Sequence, residues 1–248
     1  MNHKDKTQEN RAFQKMRQAA LDRLWGRDPL EIEENAGIPF SPEASAFYLS
    51  TLGKNVTIRY PEYQMNGELG EWHQLVILHY MDMADQSRLT GRQINFGALP
   101  GGMIRGGGFD RLCEQTVSRE FGNWTREKLE TVSRSLGGRI FPSNADFSAE
   151  FSVLPLYPVT LKIWFADEEF AASGRMFLDG SAEHFLSVED AVTVGDLILE
   201  EIQKVGEQYD RKSEKCKKAD YQQGCAGRCA SDRSQQRTVD YGRAASFC

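Results

Sequence analysis

Apolar positions along the chain recur in two rhythms, and the switch between them lays out its elements. Over residues 9–25, Phe13, Met16, Ala20 and Leu24 return at three- and four-residue spacing, which predicts a helix that ends near Gly26 and Pro29. Residues 46–52 and 55–60 are rich in aromatic and β-branched side chains and flank a Gly-Lys turn, a hairpin pattern that Pro61 closes. The stretch EWHQLVILHYMDMA, 71–84, has more apolar residues than one helical face can hold, which predicts a buried helix. RQINF, 92–96, reads as extended. Helices are expected over about 109–121 and 125–136, with Gly137 and Gly138 stopping the second. The period then shortens: 146–154 and 159–165 read as strands around a Pro-containing turn, and 175–179 as another strand. Ser187 and Asp190 fit a capping box that opens a helix over about 188–208. The expected fold is α+β: one globular domain, 1–210, of antiparallel hairpins packed with several helices, followed by a cysteine-containing tail, 211–248.

Charge and cysteine both change at that boundary. The whole chain of 248 residues has a formal net charge of −6, yet residues 211–248 alone carry nine Lys/Arg against four Asp/Glu. The body is therefore acidic and offers no electrostatic footprint for nucleic acid. The basic tail is expected either to fold back on the body or to recruit an acidic protein partner. No apolar run is long enough for a membrane span, and the polar N-terminal residues carry no secretory pattern, so a cytoplasmic protein is expected. Cys113 is alone in the body, whereas Cys216, Cys225, Cys229 and Cys248 all lie in the tail. Four clustered thiols in a reducing compartment point to a metal set, either zinc or an iron–sulfur cluster. Their C-x8-C-x3-C-x18-C spacing matches no standard knuckle or ferredoxin run, and an idle reduced tail is the plain alternative.

Two stretches of the body carry residues suited to chemistry. LPGGMIRGGGFDRLC, 99–113, sets five glycines beside an arginine ahead of the expected helix. Backbone N–H groups of Gly106, Gly107 and Gly108 at a helix start, with Arg105 and Arg111 as forks, suit an anionic group. A glycine-rich surface loop is the competing reading, because neither a Walker nor a dinucleotide spacing is present. The second stretch holds Asp167 and Glu168, with His184 further on, carboxylates and an imidazole of the kind used in general acid–base work. A solvated loop is the plain alternative there. His73 and His79 lie six residues apart on one helix and are expected to be packed rather than paired as ligands.

The order of LHYMDMA (78–84), L-T-G-R-x-I-x-F (89–96), L-P-G-G (99–102), W-F-A-D-E-E-F (164–170), M-F-L-D-x-S-A (176–182) and V-E-D (188–190) resembles a family of uncharacterised proteins from anaerobic bacteria and archaea, domain of unknown function 3786. The resemblance spans about residues 12–205 and implies an anaerobic setting without implying a reaction. Some members of that family carry an added cysteine-rich domain like that of corrinoid methyl-transfer proteins, which the tail spacing here does not reproduce. The function expected is a cofactor- or metal-binding accessory protein. Its ligand would be a corrinoid or other tetrapyrrole in the body, or an iron–sulfur or metal centre on the tail. The alternatives are a small enzyme on an anionic substrate, with Asp167 or Glu168 as base, His184 as acid and Arg105 as clamp, and a protein–protein adaptor.

Overall fold

The computed structural model describes the backbone of residues 3–232 and the side chains of residues 11–214. Two units are distinguished, Met1–Val205 and Gly206–Cys248. The first holds an α+β domain built from two antiparallel sheets and the helices α1 (His3–Leu24), α2 (Pro29–Ala36), α3 (Glu71–Met83), α4 (Gly102–Arg119) and α5 (Arg126–Ser135), with the start of α6 (Val188–Asp232). Among the described residues no helix is long and apolar enough to cross a membrane.

The first sheet runs in the order β1 (Phe40–Ser41), β2 (Ala46–Thr51), β3 (Lys54–Arg59), β4 (Gln64–Asn66). Its β2–β3 hairpin pairs Thr51 with Lys54 across Leu52 and Gly53, both at positive φ. Phe40, Phe47, Tyr60 and Tyr63 pack their rings on it, centroids 4.8 to 6.5 Å apart. The second sheet has the order β5 (Gln93–Ile94), β9 (Ser173–Asp179), β8 (Tyr157–Trp164), β7 (Phe147–Leu154), β6 (Arg139–Ile140). Its three long strands are the pair expected around Pro155 and the strand at 175–179, extended two residues upstream. Phe147, Phe151, Val159, Leu161, Ile163, Met176 and Leu178 form its buried side.

Three features differ from the sequence reading. Pro29 does end the α1 pattern, but Asp28 also caps a new helix there by accepting from the Leu30 N–H, with Pro29 at its first position. The glycine stretch is not a loop: α4 begins at Gly102, so Arg105, Gly106, Gly107, Gly108 and Arg111 all lie inside it. Finally, the backbone of α6 continues through Asp232, past the boundary expected near residue 210. Cys216, Cys225 and Cys229 fall on its later turns, where side chains are outside the described residues, and Cys248 lies outside them altogether.

The helical glycines have a packing reason. A Cβ on Gly106 would run into the backbone of Phe96 and Gly97, and one on Gly102 would lie 2.6 Å from the Phe96 carbonyl oxygen. Both glycines sit on one face, four residues apart, and let α4 press against the 3-10 turn Phe96–Ala98. Asp110, one turn further on, accepts the Phe96 and Gly97 N–H groups at 3.1 and 2.9 Å. Phe109 packs on Phe96, centroids 4.4 Å apart, and fills the space left by Gly195 on α6.

Candidate functional site

Four helices, α1, α3, α4 and α6, converge on a cleft of about 510 Å³. Met16 of α1, Trp72 of α3 and Leu197 of α6 supply its apolar wall. The Trp72 ring is held edge-on against Phe13, 5.3 Å between centroids at 74°, which leaves 49% of the residue exposed. That is an unusual place for a large aromatic side chain, since an indole in a fold of this size is normally mostly buried. Gly70, which precedes α3, lines the same cleft and provides no side-chain cap for the first N–H groups of that helix.

The polar lining is dominated by carboxylates: Glu71 from α3, and Glu189, Asp196 and Glu200 from α6. Glu71 and Glu189 lie in first turns, where the helix dipole accounts for them. Asp196 and Glu200 are different, being deep in α6 and one turn apart on a shared face. Burial pushes the Asp196 carboxyl up, Arg105 draws it back down, and Glu200 pushes it up further. Asp196 makes no side-chain hydrogen bond or salt bridge among the described residues. The neighbouring Glu201, by contrast, takes the Lys54 ammonium at 3.0 Å and Lys204 at 3.6 Å. Arg105 is the single cationic side chain lining the cleft among the described residues.

His73 also lines the cleft but is committed elsewhere. Its Nε2 meets the buried Thr51 hydroxyl at 2.8 Å, and burial, with Lys54 nearby, lowers its pKa to about 4. It is a neutral packing group, as expected; His79 is likewise committed within the fold, bonded through Nδ1 to Asp190 at 2.7 Å. Asp190 in turn accepts from Ser187, completing the anticipated cap of α6. Cys113 is buried and its thiol is pushed up to about 12 by burial, which leaves it un-ionised and poorly nucleophilic.

The residues singled out from the sequence are dispersed. Arg105 reaches the large cleft, while Arg111 and Gly107 line a smaller one of about 320 Å³ with Asn95 and Arg175. Gly106 is buried by the packing described above, and Gly108 borders neither cleft. Asp167 lies at a third cleft beside Trp164, Phe170 and Arg175. There it closes a turn, accepting the Glu169 and Phe170 N–H groups at 2.9 and 2.7 Å. Those bonds, Phe170 first, hold its carboxyl below the usual range, opposite to the raised value a general base requires. Glu168 is exposed on the same turn. His184 is exposed and bonded to Asp85 at 2.9 Å, so the three do not share a site with Arg105. Among the described residues, no group of three or more His, Cys, Asp or Glu is arranged to hold a metal ion.

Sequence reasoning missed Trp72, Asp196 and Glu200. A usable signal was present: Asp196 and Glu200 form a like-charge pair at i, i+4, and while Lys204 lies one turn past Glu200, neither Val192 nor Thr193 is a base that offsets Asp196. Several motif residues, meanwhile, are architectural. Asp179 accepts from Thr90 N and Oγ1, Gly91 N, and Ser181 N and Oγ at 2.7 to 3.0 Å, pinning the segment around Thr90 to the end of β9.

No curated protein and no solved structure matches the chain. Residues 28–201 match the model of the domain of unknown function DUF3786, so the chain belongs to that family.

Proposed function

We propose that this protein is a binding or accessory protein for a compact organic molecule, held in the cleft between α1, α3, α4 and α6. The observation that carries the reading is the half-exposed indole of Trp72 facing a cleft of about 510 Å³ whose lining includes a half-buried carboxylate without a hydrogen-bond partner. Ligand pockets combine a sizeable apolar wall with a few convergent polar groups, and their volumes run from roughly 300 to 1,000 Å³. This cleft has both properties; the one at Arg111 is smaller, at about 320 Å³, and the one at Asp167, at about 610 Å³ with Trp164 and Phe170, has carboxylates that already accept backbone N–H groups from Phe165, Glu169 and Phe170.

The reading keeps the binding role expected from the sequence and moves it. Arg105 remains part of the site, whereas the glycines beside it serve helix packing. A carboxylate-base enzyme finds less support, because Asp167, His184 and Arg105 occupy separate places.

The test is a fragment screen of the full-length protein by methyl NMR, using cationic, neutral and anionic fragments together. Hits are expected to move the Met16 and Leu197 methyl resonances and to lose affinity in Trp72→Ala. A screen whose hits all leave those methyls unmoved overturns the reading.

A further inference from the structure

We infer that the cleft selects an organic cation: an ammonium group on an apolar body, seated between Trp72 and the Asp196–Glu200 pair of α6. The inference rests on the binding role proposed above and adds the charge class of the ligand.

Charge is the first argument. Among the described residues four carboxylates line the cleft against one guanidinium, and His73, the other basic group there, is held neutral by its burial. Two of the four have local explanations at helix starts, and Glu200 has Lys204 one turn further on, whereas Asp196 has only Arg105 nearby and no salt bridge among the described residues. Like charges one turn apart destabilise a helix, and partial burial of one of them adds a desolvation cost. Arg105 offsets only part of this charge, and an ammonium seated beside the pair would relieve the rest of both costs at once.

The aromatic wall is the second argument, independent of the first. The π-face of tryptophan is the strongest side-chain partner for a cation, and a half-exposed indole beside carboxylates is the arrangement that recognises ammonium groups. Phe13 fixes the Trp72 ring edge-on, so the indole is oriented before any ligand arrives. Met16 and Leu197 extend that wall with apolar surface, which favours an ammonium carried on a hydrocarbon or aromatic body over a bare metal ion.

Arg105 distinguishes this inference from its opposite. It lies within electrostatic reach of Asp196 without forming a salt bridge among the described residues, so it offsets part of the negative charge. For a cationic ligand Arg105 is a competitor, and its removal strengthens binding. For the anionic ligand expected from the sequence it is the anchor, and its removal abolishes binding.

The experiment uses three probes that share a body and differ in charge: 2-phenylethylammonium, 2-phenylethanol and 3-phenylpropionate, titrated into the full-length protein with the Met16 methyl as the reporter. The expected result is saturable binding of the ammonium probe, weakened at least about tenfold in Asp196→Asn and in Glu200→Gln and tightened in Arg105→Ala. Glu200 is exposed, so its substitution keeps the test valid if Asp196→Asn perturbs folding. Tighter binding of 3-phenylpropionate, abolished by Arg105→Ala, overturns the charge class and leaves the binding role intact. Equal binding of all three probes does the same. No movement of the Met16 methyl by any probe up to about 10 mM overturns the inference, while the broader fragment screen decides the binding role separately.

Discussion

Two aspartates on neighbouring elements, Asp179 at the end of β9 and Asp196 on α6, have similar chemistry and opposite circumstances. Asp179 accepts five hydrogen bonds from Thr90, Gly91 and Ser181. Burial works to raise its carboxyl, but the bonds from Ser181 and Thr90 together hold it below the usual range. Asp196 accepts none among the described residues, and its carboxyl is raised. The same contrast separates two regions. At the corner formed by α4, the turn at Phe96 and β9, the Asp110 carboxylate and the missing Cβ atoms of Gly102 and Gly106 are used by the fold. In the cleft at Trp72, an aromatic face and a carboxylate pair are left over. Carboxylates consumed by backbone donors serve architecture, whereas a half-buried one left without a donor beside an aromatic wall is available to a ligand.

The sharpest way to break the comparison is at the corner. Gly106→Ala places a Cβ inside the van der Waals radius of the Phe96 backbone, which cannot yield without moving the turn that Asp110 holds. A loss of about 3 kcal/mol is expected in urea denaturation, at the upper end of overpacking costs. Gly107→Ala, next along the same helix, meets nothing within 4 Å and is expected to gain roughly 0.5–1 kcal/mol by helix propensity. If the two substitutions cost the same, the close-packing account of the glycines fails.

His73 tests whether lining the cleft is enough to make a group available. Its pKa falls from 6.5 in the unfolded chain to about 4 in the fold, because the buried imidazole is neutral and bonded to Thr51. The unfolded chain therefore binds a proton below pH 6.5 that the folded one refuses until about 4. The contribution of the neutral ring is fully present above the higher value. It is lost at about 1.4 kcal/mol per pH unit on the way down, to a total of about 3 kcal/mol. Carboxylates titrate in the same range, so the measurement is the difference in unfolding free energy between the wild type and His73→Asn at pH 7 and pH 4.5. A difference that does not change with pH places His73 among the free groups of the cleft.

Asp179→Ala removes the acceptor of five bonds and leaves backbone N–H groups at Thr90, Gly91 and Ser181 seeking water. A loss of about 2 kcal/mol is expected, moderated because the segment around Thr90 is exposed and water replaces part of what is lost. Asp179→Asn, which retains one carbonyl oxygen, should recover part of it, and thermal denaturation of both variants checks the order.

How much of this was legible depended on whether a residue's role was local. The β2–β3 hairpin, α3, α5, the β7–β8 pair and the Ser187–Asp190 cap all follow from periodicity and capping, which act over a few residues. The α2 helix was written in Asp28–Pro29, but a proline read as a stop hides its equal fitness to start a helix. The glycines misled for a related reason. Glycine disfavours a helix in isolation, and only the carbonyl of Phe96, brought in from another element, makes Gly102 and Gly106 necessary. Asp167, Glu168, His184 and the arginines were chosen by chemical type alone, and tertiary structure sends them to different places. Trp72 became visible only once α1, α3 and α6 had been brought together, whereas the Asp196–Glu200 pair left a signal within its own helix but no sign of the aromatic wall it faces.

The smallest expected stability effect is the most informative. Asp196→Asn removes a charge that the fold desolvates and that Glu200 repels, while leaving the shape of the side chain unchanged. Since burial raises its carboxyl, ionising Asp196 costs folding free energy as pH rises through the carboxylate range, and the amide escapes that cost. Unfolding free energy at pH 7 should therefore stay within about 0.5 kcal/mol of the wild type, or rise above it. A structural aspartate in the manner of Asp179 gives the opposite result, a clear loss. A stable Asp196→Asn variant that no longer binds the ammonium probe separates the two roles in one protein. A destabilised one moves Asp196 to the architectural class and leaves the charge of the cleft to be decided by Glu200→Gln.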